Sequence, residues 1–244
     1  MFAWREISVL YKQAAIGVLW VVGQPLITVA IFTIIFGQLV GINSDPIPYP
    51  VFAMVGLLPW QFFMKAVTTG SASLVANRGL LTKTYFPRLI LPASAVLAGL
   101  LDLAIGLVAL AGLMLFYGVP VTPRLLLCPA FLLVVALLAL GVAVTLSGIN
   151  ALYRDVGVVL PFLLQIWMYA TPIIYPISFI PEGWQWLIRL NPMSGLINGL
   201  RWSVLGMGTF DGAALAMSLA WTTMLLIGGC HLFRRLEREI VDRI

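Results

Sequence analysis

Six apolar runs, each about as long as the hydrocarbon core of a bilayer is thick, set the strongest constraint on this chain. A helix needs roughly 20 mainly apolar residues to cross that core. The composition agrees, since 61% of the 244 residues are hydrophobic and 9% are charged, whereas soluble domains contain about 25% charged residues. The sequence therefore predicts an all-α integral membrane protein, a single transmembrane domain over residues 1–244 with six transmembrane helices. The six predicted spans are about 18–39, 51–73, 91–117, 126–149, 157–177 and 213–233.

Lys and Arg residues are unevenly distributed among the predicted loops. Short cytosolic loops of membrane proteins carry an excess of these residues. If the N-terminus is cytosolic, ten of the fourteen Lys and Arg residues lie on the cytosolic side, three lie outside and Lys65 lies within a span. This distribution predicts that both termini are cytosolic. Because the basic residues sit in separate short loops and not in one stripe, no nucleic-acid partner is expected. The cytosolic set is Arg5, Lys12, Arg78, Lys83, Arg88, Arg154, Arg234, Arg235, Arg238 and Arg243, and the outer set is Arg124, Arg189 and Arg201.

Residues 1–17 have an amphipathic pattern that is too short and too polar to span the membrane. Apolar and aromatic residues from Phe2 to Tyr11 share one face at helical spacing, opposite Arg5 and Lys12. Such a helix lies along the membrane surface. We therefore predict an interfacial helix at 1–17, and an ordinary cytosolic lead-in is the alternative.

The stretch Asn77–Pro92, with the sequence NRGLLTKTYFPRLILP, is the most basic loop between two predicted spans. Arg78, Lys83 and Arg88 place it in the cytosol. Its aliphatic and aromatic residues can form an amphipathic turn that a soluble partner grips. We predict that a soluble partner on the cytosolic side moves the membrane protein through this segment.

Residues 178–212 form the most distinctive outer segment. Its apolar pieces are too short to span the membrane and are typical of re-entrant or interfacial helices. The breaks between them include Asn191–Pro192, and Trp184 and Trp186 favour the membrane–water boundary. We predict two short helices that dip into the outer leaflet and meet at Asn191–Pro192, with a plain exterior loop as the alternative.

Lys65 and Asp102 are the two charged residues placed inside predicted spans. Ionisable residues at membrane depth are costly and are candidates for function. Counted at about 1.5 Å per residue, the two lie at similar depths. A structural ion pair, or a lysine that reaches the membrane surface, is favoured over a proton relay.

The fifth predicted span contains Pro161, Pro172 and Pro176 and follows a very short loop with adjacent Arg154 and Asp155. Proline interrupts helical hydrogen bonding, and irregular backbone at membrane depth occurs where it is buried in protein or lines a cavity. This span is therefore predicted to be a broken helix that lines a cavity or moves.

The sequence contains no pattern for catalysis or for binding a metal or nucleotide. It lacks the glycine-rich phosphate loop of ATPases and the HExxH and nucleophile-elbow motifs of hydrolases. His231 is the single histidine, and Cys128 and Cys230 do not have metal-site spacing. The chain is therefore predicted not to be an enzyme and to hold no metal or other cofactor of its own.

Five linked motifs resemble the permease subunits of polysaccharide-exporting ABC transporters, within the type 2 ABC exporter permeases that include O-antigen, capsule and teichoic-acid transporters. They are YKQAAIGVLWVVGQPL, PYPVFAMVGLLPWQFF, NRGLLTKTYFPRLILP, ALYRDV and NPMSGLINGLRWSVLG, in this order along nearly the whole chain. The resemblance implies a multi-pass protein of the bacterial cytoplasmic (inner) membrane that exports a lipid-linked polysaccharide. It also implies a homodimer, in contact with membrane lipid, with two copies of a separate ABC ATPase that bind ATP and Mg²⁺.

The resemblance also implies roles for particular residues. Segment 77–88 would be a coupling helix seated in the ATPase, spans 1 and 5 would border the path, and the short outer helices would close the exit. A glycan path requires rings that stack on sugar faces, and aromatic residues are available for this on several spans. The implied coupling residues are Arg78, Leu81, Lys83, Tyr85, Phe86, Arg88, Arg154 and Asp155; the path aromatics are Trp20, Phe32, Phe36, Trp60, Trp167, Tyr169 and Tyr175; the outer gate is Trp184, Trp186, Asn191, Pro192 and Arg201.

Three other functions remain open on the sequence. A permease of the same type could carry drugs or small lipids. An intramembrane enzyme acting on lipid-linked sugars would need Lys65 or Asp102 for catalysis. A secondary transporter would be expected to show inverted repeats and several charges at the midplane, which this sequence does not show.

Overall fold

The computed structural model describes residues 17–42, 44, 46–81 and 86–243, and all regular secondary structure in these residues is helical. The predicted interfacial helix at 1–17 lies outside the described residues except for its last position. A π-helical segment, Thr33–Leu39, continues α1, and a short 3₁₀ helix, Pro123–Leu127, precedes α5. The helices are α1 (Gly17–Phe32), α2 (Tyr49–Ala76), α3 (Arg78–Leu81), α4 (Ile90–Phe116), α5 (Cys128–Leu152), α6 (Asp155–Tyr169), α7 (Glu182–Leu190), α8 (Pro192–Leu205) and α9 (Gly212–Arg243).

Five helical segments in the described part of the chain are long and apolar enough to cross a membrane. The helix at the fifth predicted position, α6, has 15 residues, which is about 22 Å at 1.5 Å per residue and shorter than the hydrocarbon core. The helix ends at Tyr169, three residues before Pro172, so the backbone is interrupted within the predicted span 157–177. The five segments are Trp20–Leu39, Tyr49–Ala76, Ile90–Phe116, Pro123–Leu152 and Gly212–Glu237.

Helix α2 is the centre of the fold. In its most apolar 18-residue window 78% of the residues are buried, against 11% in that of α1. It packs against α1, α4, α5, α6 and α8. A helix surrounded on all sides is apolar around its whole circumference, and the run from Val51 to Trp60 is buried without interruption.

Small residues allow the helices around α2 to approach closely. A Cβ added to Gly70 would lie 2.7 Å from the Ala143 side chain on α5, and one added to Gly106 on α4 would lie 2.7 Å from Leu58. The Gly195-x-x-x-Gly199 motif of α8 acts in the same way. Added Cβ atoms would lie 2.5 Å from the Ala214 carbonyl of α9 and 2.2 Å from the Phe131 ring of α5, respectively. Glycine at these positions permits close backbone contact.

The backbone after α6 is irregular and buried, so its carbonyl groups need partners from elsewhere in the fold. Side chains from two other helices supply them. The Tyr49 hydroxyl on α2 donates to the Ile174 carbonyl at 2.8 Å. The Arg201 guanidinium on α8 donates to the Pro172 carbonyl at 2.6 Å and to the Ile173 carbonyl at 2.5 Å. The broken helix is thereby bonded to both α2 and α8.

Arg201 is held in a closely fitted site. Its guanidinium carbon lies 3.7 Å from the centroid of the Phe52 ring, and the residue is 4% exposed. A Cβ added to Gly56 would come within 3.0 Å of the guanidinium. The cation is therefore stabilised by the aromatic face and by carbonyl oxygens, and glycine leaves space for it.

Replacing Arg201 by leucine is expected to destabilise the protein by roughly 2–6 kcal/mol, because each of two buried carbonyls left without a donor costs about 1–3 kcal/mol. Denaturant titration of the purified protein in detergent measures this loss. Arg189→Leu is the matched control. Arg189 is 59% exposed and pairs with Asp211 at 3.1 Å, so its loss should cost about 1 kcal/mol or less. Similar losses for the two variants would contradict the role assigned to Arg201.

Candidate functional site

A cavity of about 530 Å³ lies between α1, α2 and α4, with Pro161 of α6 at its edge. The predicted intramembrane charges line it, and Lys65 Nζ lies 2.5 Å from Asp102 Oδ2. Their side chains are 44% and 17% exposed. The ion pair that was favoured on depth is therefore present, and it faces the cavity. Trp20 and Gln24 of α1 line the same cavity.

An aromatic cluster on the other side of α2 contains two of the predicted path residues. The ring centroids of Trp60 and Trp167 are 5.9 Å apart, and Phe63 lies 5.6 Å from Trp60 and 5.3 Å from Trp167. Trp60 is fully buried, so in this conformation neither face of its ring is open to a ligand. Its assignment as a path residue is not supported by this structure, because the central position of α2 encloses it.

The other predicted path aromatics lie nearer the surface. Trp20 on α1 and Tyr169 at the end of α6 are more than half exposed. Phe32 and Phe36 make an edge-to-face pair with centroids 5.7 Å apart and pack partly against the core. The Tyr175 hydroxyl donates to the Tyr169 carbonyl at 2.9 Å.

Helices α1 and α6 both expose broad apolar faces. On α6, Leu160 and Leu164 face the core, while most of the remaining large side chains are exposed. The large exposed apolar side chains of the two helices are Trp20, Ile27, Ile31, Ile34, Ile35 and Leu39 on α1 and its π-helical extension, and Val158, Val159, Phe162, Leu163, Ile166 and Tyr169 on α6.

Asn191 joins the two outer helices to the break after α6. Its side-chain oxygen accepts the Trp167 indole N–H at 2.9 Å and the Met193 backbone N–H at 3.1 Å. The second bond caps α8, and Pro192 occupies the first helical position, which tolerates proline. The Asn191 side-chain nitrogen donates to the Thr171 hydroxyl at 2.9 Å and to the Ala170 carbonyl at 3.4 Å.

The predicted outer-gate residues differ in their surroundings. Trp184 and Trp186 on α7 are 63% and 60% exposed. Asn191 and Arg201 instead form hydrogen bonds to the residues that follow α6. Arg201 was assigned to the gate with the others, and the structure places it in the interior.

The connection between α2 and α4 contains the predicted coupling segment. Arg78 and Leu81 begin and end the short helix α3. Lys83 and Tyr85, together with the side chain of Leu81, lie outside the described residues. A continuous helix over 77–88 is wrong at its C-terminal end, since Phe86 and Pro87 are not helical. Proline disfavours helical backbone in the residue before it.

Two predicted coupling residues make contacts within the chain. Arg88 Nη1 donates to the Glu237 backbone carbonyl of α9 at 3.2 Å, and Arg88 Nε lies 3.9 Å from the Glu237 carboxylate. Phe86 packs against a small apolar cluster that includes Leu74 of α2 and Phe233 of α9. These contacts tie the end of the segment to α9.

Arg154 and Asp155 lie at the start of α6 and are exposed. Beside them, Asn150 forms a buried link that sequence reasoning missed. Its side-chain nitrogen donates to the Ser71 carbonyl of α2 at 3.0 Å, and its side-chain oxygen accepts the Gly157 backbone N–H of α6 at 2.9 Å. An amide near the end of an otherwise apolar run was the available signal.

Metal chemistry has no visible site in the described part of the chain. No group of three His, Cys, Asp or Glu side chains there could hold a metal ion. Cys128 is buried at the start of α5 and Cys230 is partly buried on α9, and both are free thiols. The candidate functional features are the cavity lined by Lys65 and Asp102, the exposed faces of α1 and α6, and the α2–α4 connection.

Comparison with known proteins gives a consistent result over nearly the full length. Residues 1–205 match the family model described as ABC-2 type transporter. An O-antigen export system permease protein of Klebsiella pneumoniae is 30% identical, over 98% of this chain and 91% of its own. One from Myxococcus xanthus is 29% identical, over 98% and 92%. A polysialic acid transport protein of Escherichia coli is 25% identical, over 97% and 92%. The chain therefore belongs to the ABC-2 type transporter family.

Proposed function

We propose that this chain is the permease subunit of a transporter that exports a lipid-linked polysaccharide across the cytoplasmic membrane of a bacterium. ATP hydrolysis in a separate ABC ATPase, which binds ATP and Mg²⁺, drives the export. The observation that carries this proposal is the similarity to proteins named for O-antigen export and for polysialic acid transport, which covers more than nine tenths of each protein. The membrane-spanning helices and the family assignment are consistent with it.

The proposed arrangement has six spans, with α6 and the irregular backbone after it as the fifth, and both termini in the cytosol. The outer helices α7 and α8 lie in the outer leaflet, and Trp184 and Trp186 of α7 close the exit. The exposed tryptophans of α7 support this position, because tryptophan favours the interface.

Two copies of the chain enclose the path between them. The exposed faces of α1 and α6 support this, because they carry open aromatic and aliphatic side chains on helices that reach the cavity. Trp20, Tyr169 and Tyr175 contribute rings to the path, whereas Trp60 contributes to the core. An aromatic ring stacks on the apolar face of a sugar without requiring a charged pocket.

Two copies of the ATPase contact the α2–α4 connection, with Arg78, Leu81, Lys83 and Tyr85 in the contact. Arg154 and Asp155 lie at its border. Phe86 and Arg88 transmit the motion to α9, and Asn150 links the same end of the fold to α6. Rigid-body movement of packed helices is a known means of carrying such a motion.

Deletion of the gene for this chain should remove polysaccharide from the cell surface and leave lipid-linked polysaccharide at the cytosolic leaflet, because synthesis continues while export stops. Surface immunoblotting and extraction of lipid-linked glycans measure the two pools. Restoring the native chain should return both to normal. Unchanged surface polysaccharide in the deletion strain would reject polysaccharide export.

A permease for drugs or small lipids is the second candidate. An inner membrane transport permease of Escherichia coli K12, whose name specifies no polysaccharide, is 28% identical over 75% of this chain and 74% of its own. Deletion would then change drug sensitivity or lipid composition and leave surface polysaccharide unchanged.

Substitutions in the α2–α4 connection should separate residues that touch the ATPase from residues that position the segment. Tyr85→Ala and Lys83→Glu should each reduce the ATPase co-purified with the tagged chain at least about tenfold, as expected for central interface residues. Leu133→Ala, on the exposed surface of α5, is the control and should have no effect.

Arg88 allows a sharper test because its partner lies within the chain. Arg88→Glu should weaken co-purification, and the exchanged pair Arg88→Glu with Glu237→Arg should restore it, since the attachment to α9 is rebuilt. Failure of the exchanged pair, with the protein still folded, would show that Arg88 contacts the ATPase directly.

A further inference from the structure

Polar side chains form part of the wall of the cavity between α1, α2 and α4. Gln24 of α1 and Gln61 of α2 line it together with Lys65 and Asp102. The volume of about 530 Å³ is in the range of about 300–1,000 Å³ that accommodates small molecules. Polar side chains in the wall of a cavity between membrane-spanning helices favour an occupant that forms hydrogen bonds.

The side-chain amides of Gln24 and Gln61 are open to such an occupant. Neither has a hydrogen-bond partner among the described residues. By contrast, the nearby Thr68 and Thr69 hydroxyls donate to carbonyls of their own helix, at 2.8 and 2.7 Å. A polar group without a partner in an apolar medium costs free energy, and each amide offers both donors and an acceptor.

The charges around the cavity favour an uncharged ligand. Lys65 is the cation that lines its described walls, and Asp102 neutralises it at 2.5 Å. An anionic headgroup would have to compete with that carboxylate for the ammonium group. An acyl chain would leave both amides without partners. A molecule with several hydroxyl groups satisfies the amides, and the ion pair can accept and donate further hydrogen bonds.

Trp20 supplies the apolar contact that complements these polar groups. It lies on the cavity wall, and its side chain is 57% exposed. The indole belongs to the same cavity wall as the two amides and the ion pair. Stacking on one face and hydrogen bonds around the edge fit a pyranose ring, which has an apolar face and hydroxyl groups at its rim.

We propose that this cavity is a binding subsite for one uncharged sugar unit of the transported glycan. Gln24, Gln61 and the Lys65–Asp102 pair bond its hydroxyls, and Trp20 stacks on its ring. The subsite rests on the proposed export function and adds to it a position within each subunit where the chain of sugars is held.

Site-specific photo-crosslinking tests the subsite in cells that contain the complete transporter. A diazirine amino acid replaces Thr69, which is exposed at the cavity wall, and in a control replaces Leu133 on α5. After illumination, the tagged chain is purified and probed for covalently attached glycan. Attachment is expected at position 69 and not at 133, and it should disappear in cells in which polysaccharide synthesis is blocked.

Gln24→Leu combined with Gln61→Leu keeps the ion pair and removes the open amides. Loss of two or more hydrogen bonds should lower the glycan adduct at position 69 at least about tenfold. Gln38→Leu is the matched control and should leave the adduct unchanged. Gln38 lies in the π-helical segment that continues α1, outside the cavity. Co-purification of the ATPase confirms that each variant is folded.

The outcomes separate the subsite from the export function. Surface polysaccharide that still depends on this chain, with no glycan adduct at position 69, would overturn the subsite and leave export intact. A phospholipid adduct at position 69 in place of glycan would also overturn it. A glycan adduct that is unaffected by the double leucine variant would show that the amides do not bind sugar. Surface polysaccharide that does not depend on this chain would reject the export function itself.

Discussion

The fold depends on how it satisfies the backbone carbonyls that are released where α6 ends. A membrane interior offers no water to such groups, so irregular backbone there must be enclosed by protein and bonded to it. Arg201, Tyr49 and Asn191 provide the donors, from α8, from the start of α2 and from the junction of α7 with α8. These bonds hold the irregular backbone in place and join it to α2 and α8, which also pack against each other.

Helix α2 connects the two ends of the molecule. At one end its first turns support the break after α6 through Tyr49 and the Phe52 ring. At the other end, Leu74 belongs to the apolar cluster against which Phe86 of the α2–α4 connection packs. The Ser71 carbonyl accepts a hydrogen bond from Asn150 at the end of α5. Because the helix between them is closely packed, a displacement at one end moves the helix as a body. This is the physical basis for proposing that an ATPase beneath the membrane acts on the path.

The structure also changes the role proposed for several residues, while the proposed function stays the same. Trp60 is part of the core, whereas Trp20, with the same side chain, is open beside a polar cavity. Arg88 is engaged by Glu237 within the chain, which makes it a positioning residue in the proposal. Arg201 supports the outer helices from the interior. The roles of these residues differ because their side chains differ in exposure and in the groups that they contact. Residue type alone does not distinguish them.

Much of the architecture followed from sequence, because long apolar runs, charge distribution and proline breaks act locally. The helical class, the junction at Asn191–Pro192 and five of the six apolar spans were predictable to within a few residues at their ends, and the depths of Lys65 and Asp102 suggested the observed ion pair. Pro172 marked the break after α6 in the sequence, whereas the interruption before Arg88 was missed, although Pro87 was there to mark it. Tertiary structure alone decided which aromatic rings are buried, which carbonyls Arg201 bonds and which amides remain open in the cavity. Those outcomes depend on contacts between helices far apart in the chain, which periodicity and composition along a single segment do not encode.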